Sequence, residues 1–265
     1  MNTSQLIALF DQDQRIDVEY PDMRREVTPN VVRHINTSGA GEGMIIYSGL
    51  NETNADDVIR EQVDYFESIG QDFEWKVYGH DKPPDLKDRL RSYGFTVEDV
   101  EAIMVLDLKE APEILRHPVR HDVRRITDPG KISDVLSVKQ QVWDEDFSWL
   151  GHYLAGALRD HPEQVSAYVA YVDGQPASSA RIYFPGRSQF ASLWGGATLS
   201  RFRKRGLYTA LLAVRAQEAK TRQVRYLTVD ASPMSRPILE KYGFELIAYS
   251  YPCKRRNLQH STGLP

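Results

Sequence analysis

The stretch from Trp194 to Leu212, WGGATLSRFRKRGLYTALL, places Arg203, Arg205 and Gly206 between the end of a strand and the start of a helix. Those residue types in that position can hold a phosphate. The first turn of a helix carries unpaired backbone N–H groups and a partial positive charge, both directed outward. Glycine there lets the backbone approach a bulky anion, and flanking Arg and Lys add attraction. A basic cluster alone is an ordinary solvated loop; the strand-turn-helix setting makes phosphate binding the stronger reading.

Other residues with chemical potential are less well placed. Asp230 follows a buried strand and is a candidate general base, or equally a loop carboxylate capping nearby backbone. The run Trp143-Asp144-Glu145-Asp146-Phe147-Ser148-Trp149 mixes acids with aromatics. Its plainest reading is an amphipathic helix with Trp143, Phe147 and Leu150 inward and the acids in water. His117 and His121 have the spacing of ligands on one helical face, but Pro118 lies between them. No cysteine or carboxylate completes a zinc pattern, so both read as linker residues and no metal is expected. The single cysteine, Cys253, falls past the last expected strand and is not placed as a covalent carrier. It can form no internal disulfide, and a reducing compartment is the simplest expectation.

The elements that would position these residues alternate between strand and helix. In the C-terminal half, Val165–Val172, Gln175–Phe184 and Gln189–Leu199 read as strands, with Asp173-Gly174 as a hairpin turn between the first two. A helix is expected from about Gly206 to Arg222, with Leu207, Ala210, Leu211 and Val214 at helical spacing. Tyr226–Val229 reads as a short buried strand, Ser235–Tyr242 as a helix, and Glu245–Tyr251 as the closing strand. Gly243 sits where a left-handed residue ends a helix.

The N-terminal half repeats that order in weaker form. Strands are expected at Met44–Tyr47, Phe73–Tyr78 and Val100–Leu108, and helices at Ala55–Ile69 and after Pro83-Pro84-Asp85 as far as Tyr93. The second helix ends in Tyr93-Gly94-Phe95, as the later one ends in Tyr242-Gly243-Phe244. The shared ending and element order predict two copies of one α/β fold, joined near Lys109 to Val119.

With 265 residues, 41% hydrophobic and 26% charged, the chain has the composition of a folded soluble protein of one large or two ordinary domains. A net charge of −4 gives no steering toward nucleic acid or anionic membranes, and neither partner is expected. No run of about eighteen apolar residues occurs, and the start, MNTSQLIALFDQDQR, lacks the basic and apolar pattern of a leader. A cytoplasmic protein is the resulting expectation.

Arg203-Lys204-Arg205-Gly206-Leu207-Tyr208 resembles the Arg/Gln-x-x-Gly-x-Gly/Ala signature of the GCN5-related N-acetyltransferases, with Tyr208 in place of the final small residue. The resemblance runs on through the following helix, the strand ending at Val229 and Leu239-Glu240-Lys241-Tyr242-Gly243-Phe244, covering about residues 119–255. It implies mixed, largely antiparallel sheets flanked by helices, in tandem here. The first domain would span residues 1–110 and the acetyl-CoA-binding domain residues 119–265.

By this resemblance, backbone N–H groups of Lys204, Arg205, Gly206, Leu207, Tyr208 and Thr209, with Arg203 beside them, would hold the coenzyme A pyrophosphate. Ala197, Thr198 and Leu199 would pair with the pantetheine arm like an added strand. A free N–H there would polarise the thioester carbonyl. Acetyl transfer to a primary amine would proceed by direct ternary complex.

The family often carries a tyrosine acid four residues before the Gly-Phe pair, where this chain has Leu239, and Tyr242 is the nearest substitute. A glutamate base common on the strand before the turn is also missing from Gln189–Leu199. The acid-aromatic run at Trp143–Trp149 would lie over the acceptor site, where acids beside aromatic faces suit a cationic amine. The two departures leave a non-catalytic acyl-CoA sensor as the alternative, and tandem copies also admit an RNA-linked acyl donor, which the overall acidity disfavours. In the N-terminal copy, Thr53 or Asn54 would cap a helix whose first turn holds Asp56 and Asp57. Those carboxylates would repel a pyrophosphate, which marks this copy as degenerate.

Overall fold

The computed structural model describes residues 1–37 and 41–257. The first copy runs α1 (Thr3–Phe10), β1 (Met23–Val27), β2 (Val31–Asn36), β3 (Gly43–Ser48), α2 (Ala55–Ser68), β4 (Phe73–Tyr78), α3 (Leu86–Ser92), β5 (Thr96–Val97) and β6 (Glu101–Asp107). The second runs α4 (Glu113–Arg116), β7 (Asp122–Ile126), α5 (Ile132–Trp143), α6 (Ser148–Asp160), β8 (Val165–Val172), β9 (Gln175–Tyr183), β10 (Phe190–Thr198), α7 (Leu207–Thr221), β11 (Tyr226–Ala231), α8 (Arg236–Glu240) and β12 (Glu245–Arg255).

The copies share a topology as well as an order. β1, β2 and β3 form an antiparallel meander, and β3 then pairs parallel with β4 across the α2 crossover. β8, β9 and β10 repeat the meander, and β10 pairs parallel with β11 across α7. A parallel pair needs a crossover of this kind, and the helix supplies it. Asp173 and Gly174, both at positive φ (50° and 75°), make the two-residue turn that fixes the β8–β9 register. The helix endings match in detail. Phe95 N–H donates to Leu90 and Phe244 N–H to Leu239, while Gly94 and Gly243 share a φ of 83°.

Two compact units result, and they interleave in sequence where a single linker is expected. One contains residues 1–103, 230–233 and 246–265, and the other residues 104–229 and 234–245. β12, expected to close the second copy, pairs antiparallel with β4 from Ser250↔Tyr78 to Arg255↔Phe73. The end of β6 lies beside β11, and Leu108 N–H donates to the Arg225 carbonyl. β12 thus joins the sheet begun by the first copy, and the end of β6 from residue 104 groups with the second unit.

The first unit buries Ile45, Ile59, Phe66, Trp75 and Leu90 in one core. There α2 presents Val58, Ile59, Val63 and Phe66 on one face, and β4 alternates Phe73, Trp75 and Val77 inward. In the second unit, α5 packs on β9 and β10, while α7 packs on β8, β9 and β10.

Three expectations need correction. Residues 143–150 are not one helix: Asp144, at φ 53°, ends α5, and α6 starts at Ser148. Phe147 and Leu150 are buried as expected, but Trp143 is half exposed. Neither Thr53 nor Asn54 caps α2 with its side chain; the Asn51 carboxamide accepts from both their N–H groups instead. Cys253 lies inside β12 rather than beyond it, buried, and burial followed by the Glu74 charge pushes its thiol up to about 12.

Candidate cofactor and acyl-transfer site

The basic turn sits where the strand-turn-helix reading expects it. β10 ends at Thr198, a short 3-10 turn covers Ser200–Phe202, and α7 begins at Leu207. Phe202 packs against Val138, Ala197 and Leu199, which fixes the turn to the strand end. Lys204 and Gly206 both have positive φ, 62° and 79°. Alternation of left-handed and ordinary backbone directs successive N–H groups to one side. Among the described residues, N–H groups from Lys204 to Thr209 donate to no backbone carbonyl. Arg203, Lys204 and Arg205 are exposed, and the Arg203 guanidinium donates to the Thr198 carbonyl at 3.3 Å.

His121, read above as a linker residue, lies against this turn. Its Nε2 is 2.9 Å from the Arg205 carbonyl, and its ring would stand 3.3 Å from a Cβ on Gly206. Nothing in its local sequence marks this contact with a turn more than eighty positions away. The Tyr208 ring, in place of a small residue, lies over β10, 3.6 Å from where Gly196 would carry a Cβ. The ring lies in ordinary contact distance of that strand, and burial raises its hydroxyl pKa.

The strand beside the turn has one open edge. Pairing of β10 with β11 covers Phe190↔Tyr226 to Ser192↔Thr228 only. Further along, Gly195, at φ 61°, sits in an irregularity of register between Trp194 and Ala197. Leu199 N–H donates to the Ala177 carbonyl of β9. By antiparallel alternation, the N–H and carbonyl of Thr198 then face away from β9. Thr228 Oγ1, at the last paired position, is buried with no partner among the described residues. An open strand edge, an orphaned hydroxyl and a ring of free N–H groups are the features an extended, phosphate-ended ligand requires.

The two candidates for proton transfer are placed differently. The Tyr242 hydroxyl shares a short hydrogen bond with Thr209 Oγ1 in the first turn of α7, which brings it to the turn. Leu239 is buried. Asp230 groups with the first unit, where its carboxylate is ion-paired with Lys76. Lys76 also reaches Glu101 at 2.9 Å. Burial is the largest influence and works against the Lys76 ammonium, but Asp230, Tyr78, Glu101 and Glu74 together outweigh it and its pKa is raised well above the ordinary value. Among the described residues no group of three or more His, Cys, Asp and Glu side chains is arranged to hold a metal. No helix among them is long and apolar enough to cross a membrane.

Comparison with known proteins bears on the family and the fold. Residues 131–244 match the family model of the Acetyltransferase (GNAT) family. No curated protein sequence matches the chain. Among solved structures, a GCN5-related N-acetyltransferase from Kribbella flavida aligns with a TM-score of 0.65 at 14% identity, over 95% of this chain and 93% of its own. A conserved protein of unknown function from Staphylococcus epidermidis aligns at 0.66 and 14% identity, over 93% and 97%. A tandem GNAT protein from the clavulanic acid biosynthesis pathway aligns at 0.61 and 12%, over 91% and 85%. At these identities the likeness is one of fold, and it spans both copies. Residues 131–244 are thus similar to the GNAT acetyltransferases, and the fold over both copies is that of a tandem GNAT protein.

Proposed function

We propose that this protein transfers the acetyl group of acetyl-CoA to a primary amine by direct attack within a ternary complex. The observation that carries the reading is the row of free N–H groups from Lys204 to Thr209 at the head of α7, adjoining the unpaired edge of β10. Those N–H groups, with Arg205 and Lys204, would receive the pyrophosphate. Thr198 would pair with the pantetheine arm and direct its N–H at the thioester carbonyl as negative charge develops there. Ala197 and Leu199, both buried, hold that edge in place.

Tyr242 is the proposed proton donor to the departing thiolate, supported by its hydroxyl's place beside Thr209. The general base is not assigned to Asp230, because accepting a proton there would leave the Lys76 ammonium with Glu101 alone. Holding amine and thioester in line supplies most of the acceleration expected of such a site. We propose further that the N-terminal copy has lost a cofactor site. At the head of α2, Asp56 is ion-paired with Arg89, and Asp57 with Arg60 at 3.0 Å, so carboxylates stand where phosphate would go.

Calorimetric titration with acetyl-CoA tests the reading. One site per chain is expected, with Gly206→Glu abolishing binding in a folded protein because its carboxylate would occupy the phosphate position. Unchanged affinity in that variant would sink the phosphate turn, and two sites per chain would refute the loss of the N-terminal one.

A further inference from the structure

Two cations converge on the Gly195 irregularity of β10. Lys139 Nζ, from α5, lies 3.3 Å from the point a Cβ of Gly195 would occupy, and Arg181 Nη2 and Nε, from β9, lie 3.3 and 3.4 Å from the same point. The absent side chain leaves room between them. Among the described residues neither forms an ion pair with a carboxylate, and Arg181 Nε is buried without a partner. The Lys139 ammonium rests over the Phe147 ring at 4.8 Å.

This arrangement is unfavourable for the protein alone. Burial, and then the neighbouring charge of Arg181, lower Lys139 to about 8, with only Glu145 acting in the opposite sense. Burial lowers Arg181 as well, opposed by Tyr153. Like charges brought together out of water are destabilising unless an anion joins them. A carboxylate or phosphate between an ammonium and a guanidinium would satisfy both, the guanidinium through paired N–H donors. Gly195 lies three residues before Thr198 on β10, a distance of about 10 Å along a strand. That is the reach of a small amine whose other end is anchored.

We propose that Lys139 and Arg181 form an anion subsite for the acceptor, so that the acceptor is an amine that also carries a carboxylate or phosphate. This rests on the acetyl-transfer reading above and narrows it: polyamines and other purely cationic acceptors are disfavoured.

The test compares kcat/KM for two amine pairs, lysine with cadaverine and phosphoethanolamine with ethanolamine, using acetyl-CoA as donor. The anion-bearing member of at least one pair is expected to be preferred by about tenfold or more, with the pair that responds telling carboxylate from phosphate. Lys139→Met and Arg181→Met should each erode that preference by about tenfold, while Arg181→Lys keeps most of it. Preference for the purely cationic member in both pairs, or a preference unmoved by either variant, overturns the subsite.

Should no amine of the panel turn over, the Lys139 side-chain resonance titrated with inorganic phosphate and with glutarate decides. A saturable shift that weakens in Arg181→Met supports the subsite, and no shift overturns it. Should Arg181→Met not fold, calorimetric titration of Lys139→Met with the same two anions takes its place, with weakened binding supporting the subsite and unchanged binding overturning it. Anion binding without acetyl-CoA binding would sink the donor reading and keep the subsite; the reverse result would do the opposite.

Discussion

Gly206 and Lys204 turn a basic loop into a set of converging N–H groups, and only the first of them is a residue that adopts positive φ without strain. Gly206→Ala is expected to destabilise the protein by about 1 to 2 kcal/mol, since it adds a left-handed side chain against the His121 ring. Urea unfolding measures this, and a loss of less than a few tenths would mean the turn relaxes freely. Tyr242→Phe tests the proton donor. Turnover should fall by about a hundredfold or more with acetyl-CoA affinity retained. Weakened affinity with normal turnover would instead assign the hydroxyl to holding Thr209 at the phosphate turn.

Lys139 gives a prediction in pH. Its pKa in the folded protein is about 8. Between about pH 8 and the ordinary lysine value near 10.4, the unfolded chain therefore binds more protons, and stability rises with pH. Below that window the charged ammonium is a burden. Lys139→Met should thus stabilise the protein at pH 7 by about 1 to 2 kcal/mol, less than the full shift implies because the group is partly in water. The gain should vanish by about pH 10.5. A variant equally stabilised at both pH values would contradict this account of the charge.

At the scale of elements, the two Tyr-Gly-Phe endings are the most legible feature of the chain, and the physics is local. A glycine at φ 83° ends α3 and α8 alike, and the phenylalanine N–H returns to the carbonyl of Leu90 or Leu239. Around Gly94 nothing lies within 4 Å of an added Cβ, so Gly94→Ala isolates backbone strain from crowding. A loss of about 1 kcal/mol in thermal or denaturant unfolding is expected. The strands at 73–78 and 165–172 were equally legible, because alternation or sustained apolarity shows burial directly. β1, β2, β7, α5 and α6 were not read. β1 and β7 carry adjacent arginines, Arg24-Arg25 and Arg124-Arg125, which dilute a strand signal, and α5 ends at an aspartate with left-handed φ that no sequence rule demands.

At the scale of the molecule, the exchange of closing strands links the two copies in sequence more closely than a tandem array requires. β12 comes last in the chain yet pairs with β4 over six residue pairs. Removing residues 246–265 should therefore expose β4 and destabilise the first unit, although that unit's own copy is untouched in sequence. Hydrogen exchange of the β4 amides in the truncated chain reads this out. Protection equal to that of the full chain would show that β12 contributes little.

The sequence by itself determined the duplicated α/β order, the glycine-ended helices, the hairpin at Asp173-Gly174 and the basic strand-turn-helix at Gly206, since each is written in neighbouring residues. Tertiary structure alone decided that His121 lies on the turn, that Asp230 is held by Lys76, that Tyr208 lies over β10 near Gly196, and that β12 from residue 246 groups with the first unit and the end of β6 with the second. It also brought Lys139 and Arg181 to Gly195, fifty-six and fourteen positions further along the chain (195 − 139 and 195 − 181). Caps, turns and periodicity act over a few residues and leave a pattern in the string; pairings between distant segments depend on which surfaces meet, and no local pattern records that.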